Sequence, residues 1–89
     1  MRVALICKDK PDHLQTRLDN RAAHLAHIEA SGVVEMAGPF LNDGVMTGSL
    51  VVLNVETLAA AQAWAAADPY ALAGLFENVI ISEWKKVIG

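Results

Sequence analysis

The sequence lacks the residues that several common kinds of site require. One cysteine among 89 residues excludes an intramolecular disulfide, a Cys-x-x-Cys redox pair and a four-cysteine zinc site. None of the six glycines belongs to a GxGxxG or GxxxxGK phosphate loop, so we expect no nucleotide cofactor. No apolar run approaches the about 18 residues that a membrane span needs.

Positive charge is also scarce. Lys and Arg number 7 against 10 Asp and Glu, which gives a net charge of −3 without a basic cluster. This balance argues against binding to nucleic acid or to an anionic membrane. The apolar segment Met1–Cys7 is too short for the core of a signal peptide, and Cys7 is an isolated thiol within it. We therefore expect a cytoplasmic protein without a cleaved leader.

Hydrophobic residues, by contrast, make up 54% of the chain. A chain of this length forms one domain, expected over residues 1–89, and its core is small. The excess of apolar residues indicates a second apolar surface, and a homodimer interface accounts for it most simply.

Hydrophobic periodicity and turn residues predict six elements. Strands are expected at Arg2–Cys7, Val33–Leu41, Thr47–Val55 and Phe76–Ile88, and helices at Asp12–Ser31 and Leu58–Ala67. Gly32 should end the first helix, and Asn42-Asp43-Gly44 should join the second and third strands as a hairpin. Thr57 is a predicted N-cap, and Asp68-Pro69-Tyr70 is expected to start a short extra turn. Gly38-Pro39 should make the second strand bulge or leave the sheet.

The resulting β-α-β-β-α-β order is typical of the ferredoxin-like fold of the α+β class. Its four-stranded antiparallel sheet carries both helices on one face. The other face has no cover within the chain, although Val51, Leu53 and Ile80 belong to strands with apolar residues on both sides. We predict that two copies pack through these open faces.

The first helix carries Arg17, Arg21 and His24 beside an apolar stripe. The stripe consists of Leu14, Leu18, Leu25 and Ile28. At about 100° per residue it centres almost on Arg21, which is therefore expected at or beside the core. Because a buried arginine needs an anion and hydrogen bonds to replace water, something negative should meet this helix.

Four short motifs together resemble the YCII (YciI-like) family of small dimeric α+β barrel proteins. They are Arg21-x-x-His24-Leu25, Gly38-Pro39, Gly48-Ser49, and Asp68-Pro69-Tyr70 followed by Gly74. The resemblance covers nearly the whole chain. It implies a dimer with one pocket per subunit, in which His24 and Asp68 form the catalytic pair. One branch of the family dehydrochlorinates a chlorinated hydroxyhydroquinone without metal or organic cofactor, which implies a general-base role for His24.

The chemistry of these residue types fits that implication. A free imidazole titrates near pH about 6.5, so His24 can accept and donate a proton near neutrality, and a carboxylate such as Asp68 can orient it. Structural alternatives remain open: His24 as a helix-edge residue, and Asp68 as an N-cap before Pro69.

Arg17 and Arg21 are candidate ligands for a substrate carboxylate or phenolate, because a guanidinium binds planar anions at two points. The alternatives are structural pairing with a carboxylate, for which the candidates are Asp19, Glu29 and Asp68, and extension of the long side chain past Leu18 to water. Ser49 and Tyr70 are candidate hydrogen-bonding groups for substrate, and otherwise surface or turn residues.

These residues predict an enzyme that uses a His-Asp dyad for elimination or isomerisation of a small oxygenated metabolite, expected to be cyclic. We expect no cofactor. No metal is expected either, because His24 and His27 alone supply too few ligands. The alternative is a non-catalytic protein that binds or senses a small molecule in the same pocket.

Overall fold

The computed structural model describes residues 1–89, which form four strands and three helices. The strands are β1 (Arg2–Asp9), β2 (Val34–Asn42), β3 (Val45–Asn54) and β4 (Phe76–Trp84), and the helices are α1 (Leu14–Ser31), α2 (Leu58–Ala67) and α3 (Pro69–Leu72). The strands form one antiparallel sheet in the order β2-β3-β1-β4. This arrangement confirms the predicted ferredoxin-like fold.

Local sequence accounts for the ends of the elements. Gly32 ends α1 in the left-handed conformation at φ 66°, where a side chain would be strained. The hairpin between β2 and β3 has positive φ at both Asp43 and Gly44, as a type I′ turn requires. Thr57 caps α2 by accepting a hydrogen bond from the backbone N–H of Ala60. These stops confirm the predicted turn chemistry.

The core lies between the sheet and α2. Alternate residues of the two central strands point to the helices, so that one face of each strand is buried. The core residues are Val3, Leu5, Cys7, Val51, Leu53, Ala61 and Trp64. Full burial of each large aliphatic side chain stabilises the fold by about 1.5–3 kcal/mol, and this packing fixes the sheet that supports the site.

The opposite sheet face is apolar and uncovered. Five large side chains on it are between 40% and 51% exposed: Ile6, Met36, Phe40, Ile80 and Trp84. The β1–β4 register pairs Ile6 with Ile80 at its centre. The face therefore has the composition that the sequence predicted for a contact surface. No helix of the structure is both long enough and apolar enough to cross a bilayer.

Each of the four strands has at least one boundary that differs from the prediction. Strand β1 continues to Asp9 instead of ending at Cys7, and β4 ends at Trp84 instead of Ile88. Pro39 does not take β2 out of the sheet, because β2 is an edge strand where a missing N–H is tolerated. Pro39 pairs with Ser49, and the register shifts one position later, between Phe40 and Leu41.

The expected burial of the apolar stripe of α1 is wrong. Leu14, Leu18 and Leu25 are between 40% and 51% exposed, whereas the buried residues of this helix are Arg17 and His24. The physical reason is that hydrogen-bonded polar partners replace water around these two side chains. Helix α1 thus places two polar side chains, Arg17 and His24, on the side that packs toward the sheet.

Candidate active site

Helix α1 places two polar side chains inside the protein on one line. Arg17 and His24 are two helical turns apart and therefore lie on nearly the same side of the helix. They are only 2% and 6% exposed. Arg21, on the turn between them, is exposed, so the prediction that Arg21 is the core-facing arginine is wrong. The arginine that meets the predicted buried anion is Arg17.

His24 and Asp68 are joined by a hydrogen bond. The distance from His24 Nδ1 to Asp68 Oδ1 is 2.8 Å, and both side chains are buried. An ionised carboxylate can only accept, so Nδ1 carries the proton and the other ring nitrogen, Nε2, is unprotonated when the ring is neutral. Nε2 has no hydrogen-bond partner in the protein. Every buried side-chain nitrogen or oxygen does have such a partner, so Nε2 is not a buried atom. Nε2 is therefore open to solvent or to a ligand.

Asp68 has a second role at the start of α3. Its Oδ1 also accepts a hydrogen bond from the backbone N–H of Tyr70 at 3.0 Å, with Pro69 as the first residue of the helix. The same carboxylate therefore caps α3 and orients His24. The cap fixes the position of the oxygen that the imidazole meets, so the structural and orienting roles coexist.

Tyr70 connects the imidazole to the buried arginine. Its ring stacks on the His24 ring with centroids 4.0 Å apart and planes 15° from parallel. The Arg17 guanidinium carbon lies 4.7 Å from the Tyr70 ring centroid. Burial raises the pKa of Tyr70, with the Arg17 charge acting in the opposite direction. The phenol consequently stays neutral near pH 7 and can donate a hydrogen bond.

Arg17 is held by Asp9, a residue that the sequence analysis did not identify. Its Nε and Nη2 atoms donate to the two oxygens of Asp9 at 2.7 and 2.8 Å, and Nη2 also donates to Ser49 Oγ at 2.9 Å. Burial disfavours the guanidinium charge, but the hydrogen bonds and negative charge of Asp9 outweigh that effect and raise the pKa of Arg17.

The partner of Arg17 was predicted wrongly, since Asp19, Glu29 and Asp68 were the expected candidates. A signal for Asp9 was present: it continues the period-two alternation of Val3, Leu5 and Cys7 toward the helices.

The neighbouring thiol and the other histidines take no part in this network. Burial, together with the charge of Asp68, raises the pKa of Cys7 to about 12, so the thiol stays protonated and unreactive near neutrality. His27 contacts Trp64, and His13 contacts the backbone of Pro11. No three His, Cys, Asp or Glu side chains are grouped as metal ligands.

A cavity of about 150 Å³ lies between α1 and the β2–β3 hairpin. Its polar wall contains five of the six predicted site residues, namely Arg17, Arg21, His24, Ser49 and Tyr70. Its apolar wall consists of Leu25, Ile28, Ala37, Gly38, Pro39, Met46 and Val51. Asp68, the sixth predicted residue, lies behind His24 and does not line the cavity. Leu25, Gly38 and Pro39 belong to the motifs quoted from the sequence, but no residue of the apolar wall was predicted as part of the site.

Known proteins share both the sequence and this architecture. The model of the YCII-related domain matches residues 1–85. Protein YciI of Escherichia coli O6:H1 is 42% identical, with 98% of this chain and 99% of that protein covered. An uncharacterized protein of Haemophilus influenzae is 36% identical over the same shares of the two chains.

Among the solved structures that are similar to this chain are the following two. One is 5-chloro-2-hydroxyhydroquinone dehydrochlorinase (TftG) from Burkholderia phenoliruptrix AC1100 in complex with 2,5-dihydroxybenzoquinone. Its TM-score is 0.87 at 35% identity, with 96% of this chain and 94% of that chain covered. The other is an antibiotic biosynthesis monooxygenase with a TM-score of 0.57 at 10% identity, covering 96% and 98% of the two chains. This second likeness supports the fold alone.

Proposed function

The chain belongs to the YCII-related family, and from that premise we propose that it is a small enzyme of the lyase or isomerase type. In this proposal it acts without a cofactor on a small oxygenated metabolite that contains a ring. His24 is the general acid/base, Asp68 orients it, and Arg21 binds an anionic oxygen of the substrate.

One observation carries the proposal: the 2.8 Å hydrogen bond between His24 Nδ1 and Asp68 Oδ1, made by a histidine that lines the cavity. It leaves Nε2 as the free basic nitrogen on the ligand side. The carboxylate also stabilises the imidazolium that forms when Nε2 takes a proton. The likeness to a dehydrochlorinase supports lyase chemistry for such a pair.

The elimination proceeds without an oxidant or reductant. Nε2 takes a proton from the substrate, and the electron pair left behind moves through the ring to expel the leaving group as an anion. The products are the unsaturated ring, the leaving anion and a proton on His24 that later returns to water. In an isomerisation the imidazolium would return the proton to another atom of the same molecule.

The remaining polar groups stabilise negative charge on oxygen. Arg21 is exposed and unpaired at the cavity, so its guanidinium is available to a phenolate or carboxylate. Arg17 also lines the cavity, although its guanidinium is already engaged by Asp9 and Ser49 and lies against Tyr70. Ser49 accepts a hydrogen bond from Arg17 and can still donate its own hydroxyl proton to a ligand. The neutral Tyr70 hydroxyl can likewise donate a hydrogen bond.

The same proposal includes a homodimer formed through the open sheet faces. Ile6, Ile80 and Trp84 leave apolar surface in water on that side, and burial of such surface in a symmetric contact stabilises association. The partner sheet would lie opposite the helices, so each subunit would keep its own cavity.

The test is turnover of 5-chloro-2-hydroxyhydroquinone, used as a probe because the similar dehydrochlorinase is named for it. Released chloride is measured for the wild type, for His24→Ala and for the control His13→Ala, which lies outside the cavity. We expect turnover that falls at least about a hundredfold in His24→Ala and is unchanged in His13→Ala. Full activity of a folded His24→Ala variant would contradict the proposal. Saturable binding of a probe that stays intact would instead favour a binding or sensing protein.

A further inference from the structure

We propose that the cavity selects a single-ring monoanion, and that Asp9 sets this selectivity by cancelling the charge of Arg17. The inference rests on the proposed function in taking the cavity as the substrate site. It adds the charge and size of the ligand, and a role for a residue that does not touch it.

The charges around the cavity can be counted from the ion pairs. The ion pairs of the chain join Arg2 to Glu35, Lys8 to Glu77 and Arg17 to Asp9, and the neutral His24 ring is hydrogen-bonded to Asp68. Three side chains that can carry a positive charge line the cavity, namely Arg17, Arg21 and His24, and no carboxylate does. Of the three, Arg17 is neutralised by Asp9 and the His24 ring is neutral in its role as a base, whereas Arg21 is a cation without a carboxylate partner. One guanidinium charge is therefore left for a ligand.

A ligand with two anionic groups would find only one uncompensated cation. The second group would lose water inside a half-enclosed site and meet an arginine that two oxygens of Asp9 already neutralise. Removing an anion from water without a new partner is costly. A neutral ring would lack the charge-assisted bond to Arg21. A monoanion is thus the best match.

The volume of the cavity matches a ligand of one ring. Its volume is about 150 Å³, and an apolar cavity of about 150 Å³ in another protein holds one benzene molecule. Leu25, Ile28 and Val51 line one wall and offer apolar contact to the faces of a ring. The anionic oxygen would project toward Arg21 on the polar wall.

Asp9 is a positioning residue in this account. It does not line the cavity, and it acts on the ligand only through Arg17. Its two hydrogen bonds hold the guanidinium against Ser49 and Tyr70. Removal of its charge would leave Arg17 as a second uncompensated cation and should shift the preference toward dianions.

The test uses three inert ligands of matched shape: isophthalamide, 3-carbamoylbenzoate and isophthalate, with zero, one and two negative charges. Their dissociation constants are measured by titration calorimetry near pH about 8, where carboxylates are ionised. For the wild type we expect the monoanion to bind at least about tenfold more tightly than the neutral diamide, and more tightly than the dianion. Arg21→Gln should abolish the preference for the monoanion over the neutral diamide. A wild type that prefers the dianion, or that binds none of the three, would overturn the inference.

The role of Asp9 is tested with Asp9→Asn against Glu56→Gln. Glu56 is exposed and has no ion-pair partner. Glu56→Gln removes one negative charge, as Asp9→Asn does. We expect the dianion-to-monoanion affinity ratio to rise at least about tenfold in Asp9→Asn and to stay constant in Glu56→Gln. An unchanged ratio in folded Asp9→Asn would overturn this role. If that variant does not fold, as judged by circular dichroism, the wild-type and Arg21→Gln affinities decide the inference.

These outcomes are separable from those of the proposed function. Turnover with no charge preference would contradict the proposed selectivity and leave the enzymatic proposal standing. A preference for the monoanion without any turnover would contradict the enzymatic proposal and leave the selectivity standing.

Discussion

Replacement of Arg17 by methionine should strongly destabilise the fold. Methionine keeps an unbranched apolar stem but leaves Asp9 buried, at 9% exposure, without the donors that now lie at 2.7 and 2.8 Å. Breaking a buried ion pair by removing one partner costs about 3–5 kcal/mol. Loss of the contact with the Tyr70 ring adds about 0.5–2 kcal/mol. The total free energy of unfolding of a small domain is about 5–15 kcal/mol, so the variant should be close to unfolding.

The assay is urea denaturation at fixed protein concentration, followed by tryptophan fluorescence. Arg21→Met is the matched control, because Arg21 is exposed and has no carboxylate partner; its free energy of unfolding should change by less than about 0.5 kcal/mol. The double variant Asp9→Leu/Arg17→Met should recover most of the loss, since an apolar pair carries no desolvated charge. Equal stability of Arg17→Met and Arg21→Met would refute the reasoning.

Two further predictions concern the open sheet face and the buried thiol. Ile80→Lys places a charge at the centre of the open face and should shift the protein from dimer to monomer in light scattering, whereas Leu72→Lys on α3 should not. Persistence of the dimer in Ile80→Lys would contradict the proposed interface. Burial raises the pKa of the Cys7 thiol to about 12 in the folded protein, whereas the pKa of a thiol in the unfolded chain is about 8.5. The contribution of Cys7 to stability is therefore complete below the unfolded value and declines as pH rises above it, by up to about 1.4 kcal/mol per pH unit. Cys7→Ala should show a shallower alkaline loss in urea denaturation, and identical slopes would contradict the shifted pKa.

The fold was predictable because local signals agreed with one another. Gly32, the Asp43-Gly44 turn and the Thr57 cap each mark an end that the structure places at or near the predicted residue. Together with apolar strand patterns they leave one economical topology. Strand ends were less predictable: Asp9 is charged, and only its partner Arg17 allows it to continue β1 into the interior.

The candidate site was predictable in membership but not in arrangement. Periodicity placed Arg17, Arg21 and His24 on one side of α1, and the structure brings all three to one cavity. Which arginine is buried depends on Asp9, a contact that helix periodicity cannot show. The link from His24 to Asp68 spans 44 positions; topology made it possible, and the resemblance to a family indicated it. The stacking of Tyr70 on His24 had no signal in the sequence.

The most direct test of the central claim is the protonation state of the His24 ring, measured by ¹⁵N chemical shifts in the folded protein above its titration range. The account predicts a neutral ring with its proton on Nδ1, bonded to Asp68, and with Nε2 unprotonated toward the cavity. A neutral ring that carries its proton on Nε2 would contradict the account, because that nitrogen could not then accept a proton from a substrate.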